Sequence, residues 1–202
     1  LALSACGQGF SLFLHVKKGG ELVKFKAQIM NEDDVSRVLV RMSHQIIEKN
    51  RGTENLCLIG IKTRGIPLAH RIARNIREIG DADIDVGELD ITLYRDDLTK
   101  LSAEPVVTDP ATNIPFSVEG KTVILVDDVI FTGRTARAAL EAVMKLGRPA
   151  RIQLAVLVDR GHSELPIKAT YVGKNIPTSL NEIVAVHLIE QDGKTNVVIN
   201  VN

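Results

Sequence analysis

The sequence predicts an α/β fold, with a central parallel sheet flanked by helices and a small β-rich hood. Short apolar runs at 56–61, 122–126 and 152–158 have the length and composition of strands buried on both faces. Amphipathic helical patterns separate these runs, and the tail after residue 170 contains short alternating segments. Strands that alternate with helices in this way pair in parallel, and ligands bind at the carboxyl edge of such sheets.

The composition is that of one globular domain. The chain has 202 residues, 45% of them apolar and 25% charged, and its 25 basic side chains balance its 25 acidic ones. This balance excludes collagen-like and largely disordered classes, and it requires any nucleic-acid contact to use a local basic face. Two cysteines, Cys6 and Cys57, are too few for a disulfide framework, and no apolar run could cross a bilayer. We expect a soluble protein of the reducing cytoplasm.

Residues 1–25 stand apart from the regular patterns. The run Lys17–Glu21 reads like a translated ribosome-binding site, and Val23 could correspond to a GTG start codon. We therefore expect the native chain to begin near Leu22 or Val23. Residues 1–25 would then be an extra N-terminal segment, and residues 26–202 would form a single domain.

The first regular element is an amphipathic helix, in which Asn31 and Asp34 have the spacing of a capping box. Apolar residues recur at helical spacing until a stop near 50–52: Val35, Val38, Leu39, Met42 and Ile46. After the strand at 56–61, Pro67 suits the first turn of a second helix carrying Leu68, Ile72, Ile76 and Ile79. Residues 89–94 alternate between apolar and polar, which predicts a strand with one wetter face.

Residues 95–118 are polar, contain three prolines and show no period, which is typical of a functional loop or lid. The strand at 122–126 leads into a helix that ends before Gly147 and carries Ala136, Ala139, Leu140 and Val143. A third central strand follows at 152–158. Short strands are predicted near Tyr171, at 183–189 and at 197–201, the last two joined by a hairpin at 192–193.

The most informative segment is 123–135. An apolar strand leads to two adjacent carboxylates, Asp127 and Asp128, which we call the acidic pair. The chain then turns through the phosphate loop, Thr132–Thr135, into a helix whose free N–H groups favour an anion. Carboxylates can accept hydrogen bonds from sugar hydroxyls, and they can hold a Mg²⁺ ion indirectly. The pattern predicts a phosphorylated sugar as ligand; exposed acids before an ordinary capped helix are the simpler alternative.

Segment 123–135 resembles the phosphoribosyl diphosphate (PRPP) signature of type I phosphoribosyltransferases. The segments GIKTRG (60–65), DITLYRDDL (90–98), VLVDRGH (156–162) and GKNIPTS (173–179) narrow the resemblance. Together they resemble the bifunctional PyrR family, uracil phosphoribosyltransferases that also bind pyrimidine-operon mRNA and attenuate its transcription. The resemblance covers residue 26 to the C-terminus. It implies the type I phosphoribosyltransferase fold, with a central parallel sheet flanked by helices, a small β-rich hood and a flexible flap.

The resemblance implies that the acidic pair is catalytic: it would grip the ribose hydroxyls and stabilise positive charge at the anomeric carbon, with Asp128 the better proton acceptor. The leaving group would bind to the diphosphate loop, Lys62, Thr63, Arg64 and Gly65. The flap around 94–97 would close over PRPP, with Arg95 either meeting the diphosphate or remaining a solvated charge. The remaining PRPP- and nucleotide-binding residues would be Val129, Ile130, Phe131, Thr132, Gly133, Arg134, Thr135 and Arg160.

Mg²⁺ is implied as a cofactor bound to the substrate; the histidines lack metal-ligand spacing, so no protein metal site is predicted. The second implied activity is regulation by mRNA binding, sensed through UMP or UTP. Its basic face would contain Arg37, Arg41, His44, His162 and Lys168. Two departures from the family pattern weaken or alter this expectation: Val40 replaces a polar residue, and Ser163 replaces an arginine.

Three functions fit these residues. The first is a uracil phosphoribosyltransferase that also regulates transcription, and the second is a nucleotide-sensing RNA-binding regulator with little turnover. The third is a purine salvage enzyme without an RNA role, and a uracil enzyme that has lost RNA binding is a variant of the first. The resemblance also implies a homodimer or a higher homo-oligomer.

Overall fold

The computed structural model describes residues 15–18, 21–91 and 112–201. In chain order its elements are β1 (His15–Lys18), β2 (Glu21–Met30), α1 (Glu32–Asn50), β3 (Leu56–Ile61), α2 (Gly65–Gly80), β4 (Asp85–Leu89), β5 (Thr122–Ile130), α3 (Arg134–Leu146), β6 (Arg151–Asp159), β7 (Tyr171–Asn175), β8 (Glu182–His187), α4 (Ile189–Asp192) and β9 (Asn196–Val201). Five strands form a parallel sheet in the order β4-β3-β5-β6-β7. The predicted parallel α/β architecture is confirmed.

Strand β5 is the central strand of the parallel sheet, and its apolar first half is buried on both faces. Val123 to Val126 are at most 1% exposed, as the unbroken apolar run predicts. The pairing of β5 with β3 stops at Gly60 and Val126, whereas its pairing with β6 continues to Ile130 and Asp159. Residues after Val126 therefore face the loop by which the chain leaves β3.

Helix α1 begins with the predicted capping box. The Asn31 side chain accepts from the Asp34 N–H at 2.8 Å, and the Asp34 carboxylate accepts from the Asn31 N–H at 3.0 Å. The predicted apolar stripe packs inward, with Val35, Leu39, Met42 and Ile46 buried. Alternate residues of the central strands point to opposite faces of the sheet and join two separate apolar clusters. One cluster contains the buried residues of α1 and α2, and the other contains those of α3, so these helices cover opposite faces.

The hood is a four-stranded antiparallel sheet in the order β1-β2-β9-β8. Strand β2 leads directly into α1, and Lys26 on β2 forms an ion pair with Glu182 on β8. The predicted hairpin is present between β8 and β9, but the short helix α4 lies within its connection, and Gly193 closes that helix with φ of 68°.

Three strand predictions differ from the structure. The strand expected at 89–94 lies earlier, at Asp85–Leu89, where it pairs with β3; Gly87 there packs closely under Ile114 and Phe116, a non-local contact that periodicity does not reveal. Strand β5 extends to Ile130, through the acidic pair, because β6 continues to pair with it. Tyr171–Asn175 is the edge strand of the main sheet and not part of the tail.

Residues 21–25 were expected to lie outside the domain, and their backbone forms the first half of β2. Within it, Lys24 pairs with Val201 and Phe25 with Asn200. Among the residues that the structure describes, no helix has both the length and the apolar character needed to span a membrane.

Candidate active site

The acidic pair lies in the second half of β5. The Asp127 carboxylate accepts from the Asp128 N–H at 2.9 Å, and the Asp128 carboxylate accepts from the Val129 N–H at 2.9 Å. Burial raises the pKa of Asp127 well above its ordinary value, and repulsion from Asp128 adds to the rise. Burial also raises the pKa of Asp128, but the positive charge of Arg64 acts in the opposite direction. Both acids are half-buried, and this burial disfavours their ionised forms.

The phosphate loop forms one side of a cavity of about 280 Å³ at the carboxyl edge of the sheet. Gly133 adopts φ of 89° directly before α3, a conformation that glycine reaches without strain. The first turn of α3 lines the cavity, and the N-terminus of a helix favours an anion. The lining residues are Asp127, Val129, Ile130, Phe131, Thr132, Gly133, Arg134, Thr135, Ala136, Leu154 and Val156.

A segment after β6 holds the phosphate loop in place. The backbone N–H groups of Glu164 and Leu165 donate to the Thr132 carbonyl at 3.0 and 3.2 Å. Arg134 donates to the Glu164 carboxylate through two nitrogens, at 3.0 and 2.8 Å. The loop is fixed by contacts with a segment thirty residues further along the chain, and sequence reasoning did not identify Glu164 as its partner.

The diphosphate loop lies beside the acidic pair, as the sequence predicts. Gly65 packs directly against the Val126 carbonyl and the Asp127 backbone, where a Cβ atom would not fit. Lys62 donates its backbone N–H to Leu89 at 2.9 Å, and its ammonium lies 3.2 Å from the Asp90 carboxylate. A ligand that bridges the two loops would therefore lie over the acidic pair.

Residues from α4 contact this side of the site, and no pattern in the sequence indicates their role. Arg64 forms an ion pair with Asp192 at 2.9 Å, and the Gln191 side chain donates to the Thr63 carbonyl at 3.0 Å. The sequence marked this stretch only as a hairpin connection. It could not show that a turn 128 residues away in the chain contacts the diphosphate loop.

Arg160 is buried, and it connects the site to the hood. Its guanidinium lies 4.0 Å from the ring centroid of Phe131 and donates to Thr178 at 3.1 Å and to the Glu182 carbonyl at 2.7 Å. Desolvation lowers its pKa, and the charge of Glu182 acts in the opposite direction. Arg160 therefore frames the cavity through Phe131, which it supports from behind.

The five basic residues expected to contact RNA fall into two groups. Arg37, Arg41 and His44 lie exposed on α1, and Arg41 also donates to backbone carbonyls of Val172 and Gly173 on β7. His162 and Lys168 lie exposed on the connection between β6 and β7. Ile167 and Ala169 of this connection pack in the cluster on the α3 face, whereas α1 covers the opposite face.

The flap prediction and Arg95 lie outside the described residues. Next to them, Asn113 forms a β-bridge with Glu88, and the Thr112 hydroxyl accepts from the Asp90 N–H at 3.2 Å. The connection that follows the predicted flap is thereby attached beside β4, near the diphosphate loop.

The parallel sheet, with the acidic pair and two loops at its carboxyl edge, has the arrangement of a phosphoribosyl transferase. The family profile described as the phosphoribosyl transferase domain matches residues 27–191, and the chain belongs to this family. Within it, the chain belongs with the bifunctional PyrR proteins. It is 58% identical over 174 residues to bifunctional protein PyrR of Clostridioides difficile, covering 86% of this chain and 97% of that protein.

Two further relatives have the same name. Bifunctional protein PyrR of Pelotomaculum thermopropionicum is 60% identical over 178 residues, covering 88% of this chain and 97% of that protein. The Thermus aquaticus protein is 59% identical over 175 residues, covering 87% and 96%. The chain thus spans nearly the whole length of these relatives.

Solved structures of more distant proteins share the fold. A hypoxanthine phosphoribosyltransferase from Staphylococcus aureus has a TM-score of 0.64 at 19% identity, covering 86% of this chain and 92% of that one. The Trypanosoma cruzi hypoxanthine enzyme has a TM-score of 0.66 at 18% identity, covering 87% and 96%. The type I phosphoribosyltransferase fold implied by the sequence is confirmed.

Proposed function

We propose that this protein transfers the phosphoribosyl group of PRPP to uracil, forming UMP and diphosphate. The bond between the anomeric carbon and the diphosphate oxygen breaks, and its electron pair leaves with diphosphate. The uracil N1 atom forms the new bond to the same carbon, and its proton goes to a base or to solvent. The observation that carries this proposal is the meeting of both anion loops at the acidic pair, in a chain of the PyrR family.

In this assignment each loop binds one end of PRPP. The phosphate loop, with the N-terminus of α3, takes the 5′-phosphate, and the diphosphate loop takes the leaving group. The acidic pair accepts hydrogen bonds from the ribose hydroxyls and stabilises positive charge that develops at the anomeric carbon. Val129, Ile130 and Phe131 line the cavity between them, with Arg160 supporting Phe131.

The raised pKa of Asp128 supports a role in proton transfer. A carboxylate with a raised pKa is a better base than an ordinary one, and the N1–H of uracil is acidic enough to need only a weak base. The two carboxylates are also hard oxygen ligands of the kind that Mg²⁺ prefers, directly or through water. Bound Mg²⁺ supplies neutralising charge to the diphosphate of PRPP.

Product analysis tests the base specificity. The purified protein is incubated with PRPP and Mg²⁺ and offered uracil, hypoxanthine or orotate in parallel, and Asp128→Asn is assayed alongside. We expect UMP from uracil alone, and a fall of about 100-fold or more in the variant. Product from hypoxanthine would support the hypothesis of a purine salvage enzyme. No product from any base would support a regulator with little turnover.

We propose RNA binding as the second activity, because the relatives are named as bifunctional and basic side chains are exposed on α1 and after β6. Val40, where the family pattern has a polar residue, is 40% exposed on α1, so its side chain is accessible to a ligand. A hydroxyl there could contact phosphate, which a valine cannot.

A gel-shift assay with pyrimidine-operon leader RNA tests this activity with and without UMP, at several salt concentrations. We expect a shift that UMP strengthens, and we expect Val40→Thr to tighten binding by about threefold to tenfold, the value of one added hydrogen bond. No shift under any condition would leave a uracil enzyme that has lost RNA binding.

We also propose that residues 26–202 form the functional domain and that it assembles as a homodimer or larger. Both proposals follow from the family resemblance, and size-exclusion chromatography with light scattering tests the assembly. A reducing cytoplasm, in which PRPP and mRNA are both present, is the compartment that we propose.

A further inference from the structure

We propose that Asp192 is a positioning residue, which holds the guanidinium of Arg64 ready for the diphosphate of PRPP. This inference rests on the proposed function, since it assigns a role to α4 at the same site. Sequence reasoning placed Arg64 in the diphosphate loop but attached no role to the hairpin connection that contains Asp192.

The contact between these two residues is partly shielded from water. One terminal nitrogen of Arg64 donates to both carboxylate oxygens of Asp192, at 2.9 and 3.3 Å. The side chains are 33% and 20% exposed, so water screens the pair less than it screens an ordinary surface ion pair. The guanidinium is held at one end while part of it still reaches solvent.

The same contact leaves donors of Arg64 for a ligand. Arginine has five N–H donors in a planar fork, and Asp192 binds only those of one terminal nitrogen. The Nε atom of Arg64 is buried and has no hydrogen-bond partner among the described residues. Asp192 therefore orients the guanidinium without using all of its N–H donors.

Asp192 is itself fixed by its surroundings. Its second carboxylate oxygen accepts from the Leu188 N–H at 3.0 Å, across the short helix α4. The neighbouring Glu190 binds Arg71 of α2 through two nitrogens, at 2.9 and 2.8 Å. With Gln191 donating to the Thr63 carbonyl, α4 is attached both to α2 and to the diphosphate loop.

Holding Arg64 in advance favours ligand binding. A long arginine side chain loses rotamer freedom when it binds an anion, and this loss weakens the observed affinity. When the fold has already ordered the side chain, the loss no longer occurs on binding. Removing the Asp192 carboxylate should therefore weaken the binding of diphosphate and of PRPP, and it should have little effect on the binding of uracil.

Calorimetry with magnesium diphosphate and steady-state kinetics test this role in the full chain. We expect Asp192→Asn to raise the Kd of diphosphate and the KM of PRPP about tenfold, as for one lost charge-assisted hydrogen bond. The KM of uracil should stay unchanged, kcat should change less than the KM of PRPP, and Asp192→Glu should restore part of the affinity. The control is Asp85→Asn. It breaks an ion pair with Lys121 at the start of β4, at the opposite end of the strands from the acidic pair.

A double-mutant cycle separates positioning from a general structural effect. In an Arg64→Ala background, Asp192→Asn should cause no further loss of diphosphate affinity. An equal loss in both backgrounds, unchanged affinity in the single variant, or no diphosphate binding by the unaltered protein would overturn the proposal. If the protein binds diphosphate with the expected coupling but makes no UMP, the proposed function fails while the positioning role stands.

Discussion

Gly65 packs against the Val126 carbonyl so closely that a Cβ atom on Gly65 would overlap that oxygen. This contact joins the first residue of α2 to the last residue of β5 that pairs with β3. It brings the diphosphate loop next to the acidic pair, which begins one residue later. The distance between the two parts of the site therefore depends on the absence of one side chain.

We expect Gly65→Ala to damage both stability and activity. The added methyl group meets backbone atoms, which cannot move aside as a flexible side chain could. The free energy of unfolding should fall by about 1–3 kcal/mol, the usual range for overpacking, and UMP formation should be lost. Urea denaturation and the uracil assay measure these two effects.

Gly80→Ala is the matched control for this prediction. Gly80 is the last residue of the same helix, and a Cβ there would meet only side-chain carbons of Ile47 and Thr53, at 3.9 Å. The variant should be neutral or more stable by up to about 1 kcal/mol, because alanine favours helices. If Gly65→Ala behaved like Gly80→Ala, the close packing would not control the site.

Cys57 should be almost unreactive in the folded protein. It is fully buried in β3, and burial raises the pKa of its thiol to about 11. At pH 8 roughly one thiol in a thousand would then be ionised. In a Cys6→Ser variant, we expect a disulfide reagent to label Cys57 about a hundredfold more slowly than after unfolding in urea. Immediate labelling in native buffer would contradict the burial.

Local patterns were enough to predict the three long helices, α1 to α3, and the central strands. The capping box at Asn31 and the apolar run before the acidic pair each depend on neighbours in the chain. The contacts of Asp192 with Arg64 and of Glu164 with Arg134 could not be predicted this way. Each of these contacts joins residues far apart in the sequence. No periodic pattern in the β8–β9 connection or in the connection after β6 could show that these segments contact the diphosphate loop and the phosphate loop.

Arg160→Lys should destabilise the hood although charge is retained. Lysine cannot stack a planar group on Phe131 while it donates to Thr178 and the Glu182 carbonyl. The loss of two buried hydrogen bonds should lower the free energy of unfolding by about 2 kcal/mol. Urea denaturation measures this change, and protection of backbone amides in β8 should fall with it.

Arg77→Lys provides the comparison for Arg160→Lys. Arg77 pairs with Asp83 at 3.3 Å, but the two side chains are 68% and 79% exposed. Since exposed pairs contribute little, the change should stay within about 0.5 kcal/mol. A similar effect of both substitutions would mean that the contacts of Arg160 do not hold the hood.

Asp127→Asn should be more stable than the unaltered protein at neutral pH, although inactive. The pKa of Asp127 is raised in the folded state, so the unfolded chain ionises first as the pH rises above about 3.9. The carboxylate therefore lowers the free energy of unfolding increasingly between that pH and its own pKa in the folded state, and not below it. Urea denaturation at pH 4 and pH 7 should show the advantage of the variant growing with pH. Asp83→Asn, which removes a 79% exposed carboxylate, controls for the lost charge. A variant less stable than the unaltered protein at pH 7 would mean that Asp127 is stabilised in its ionised form.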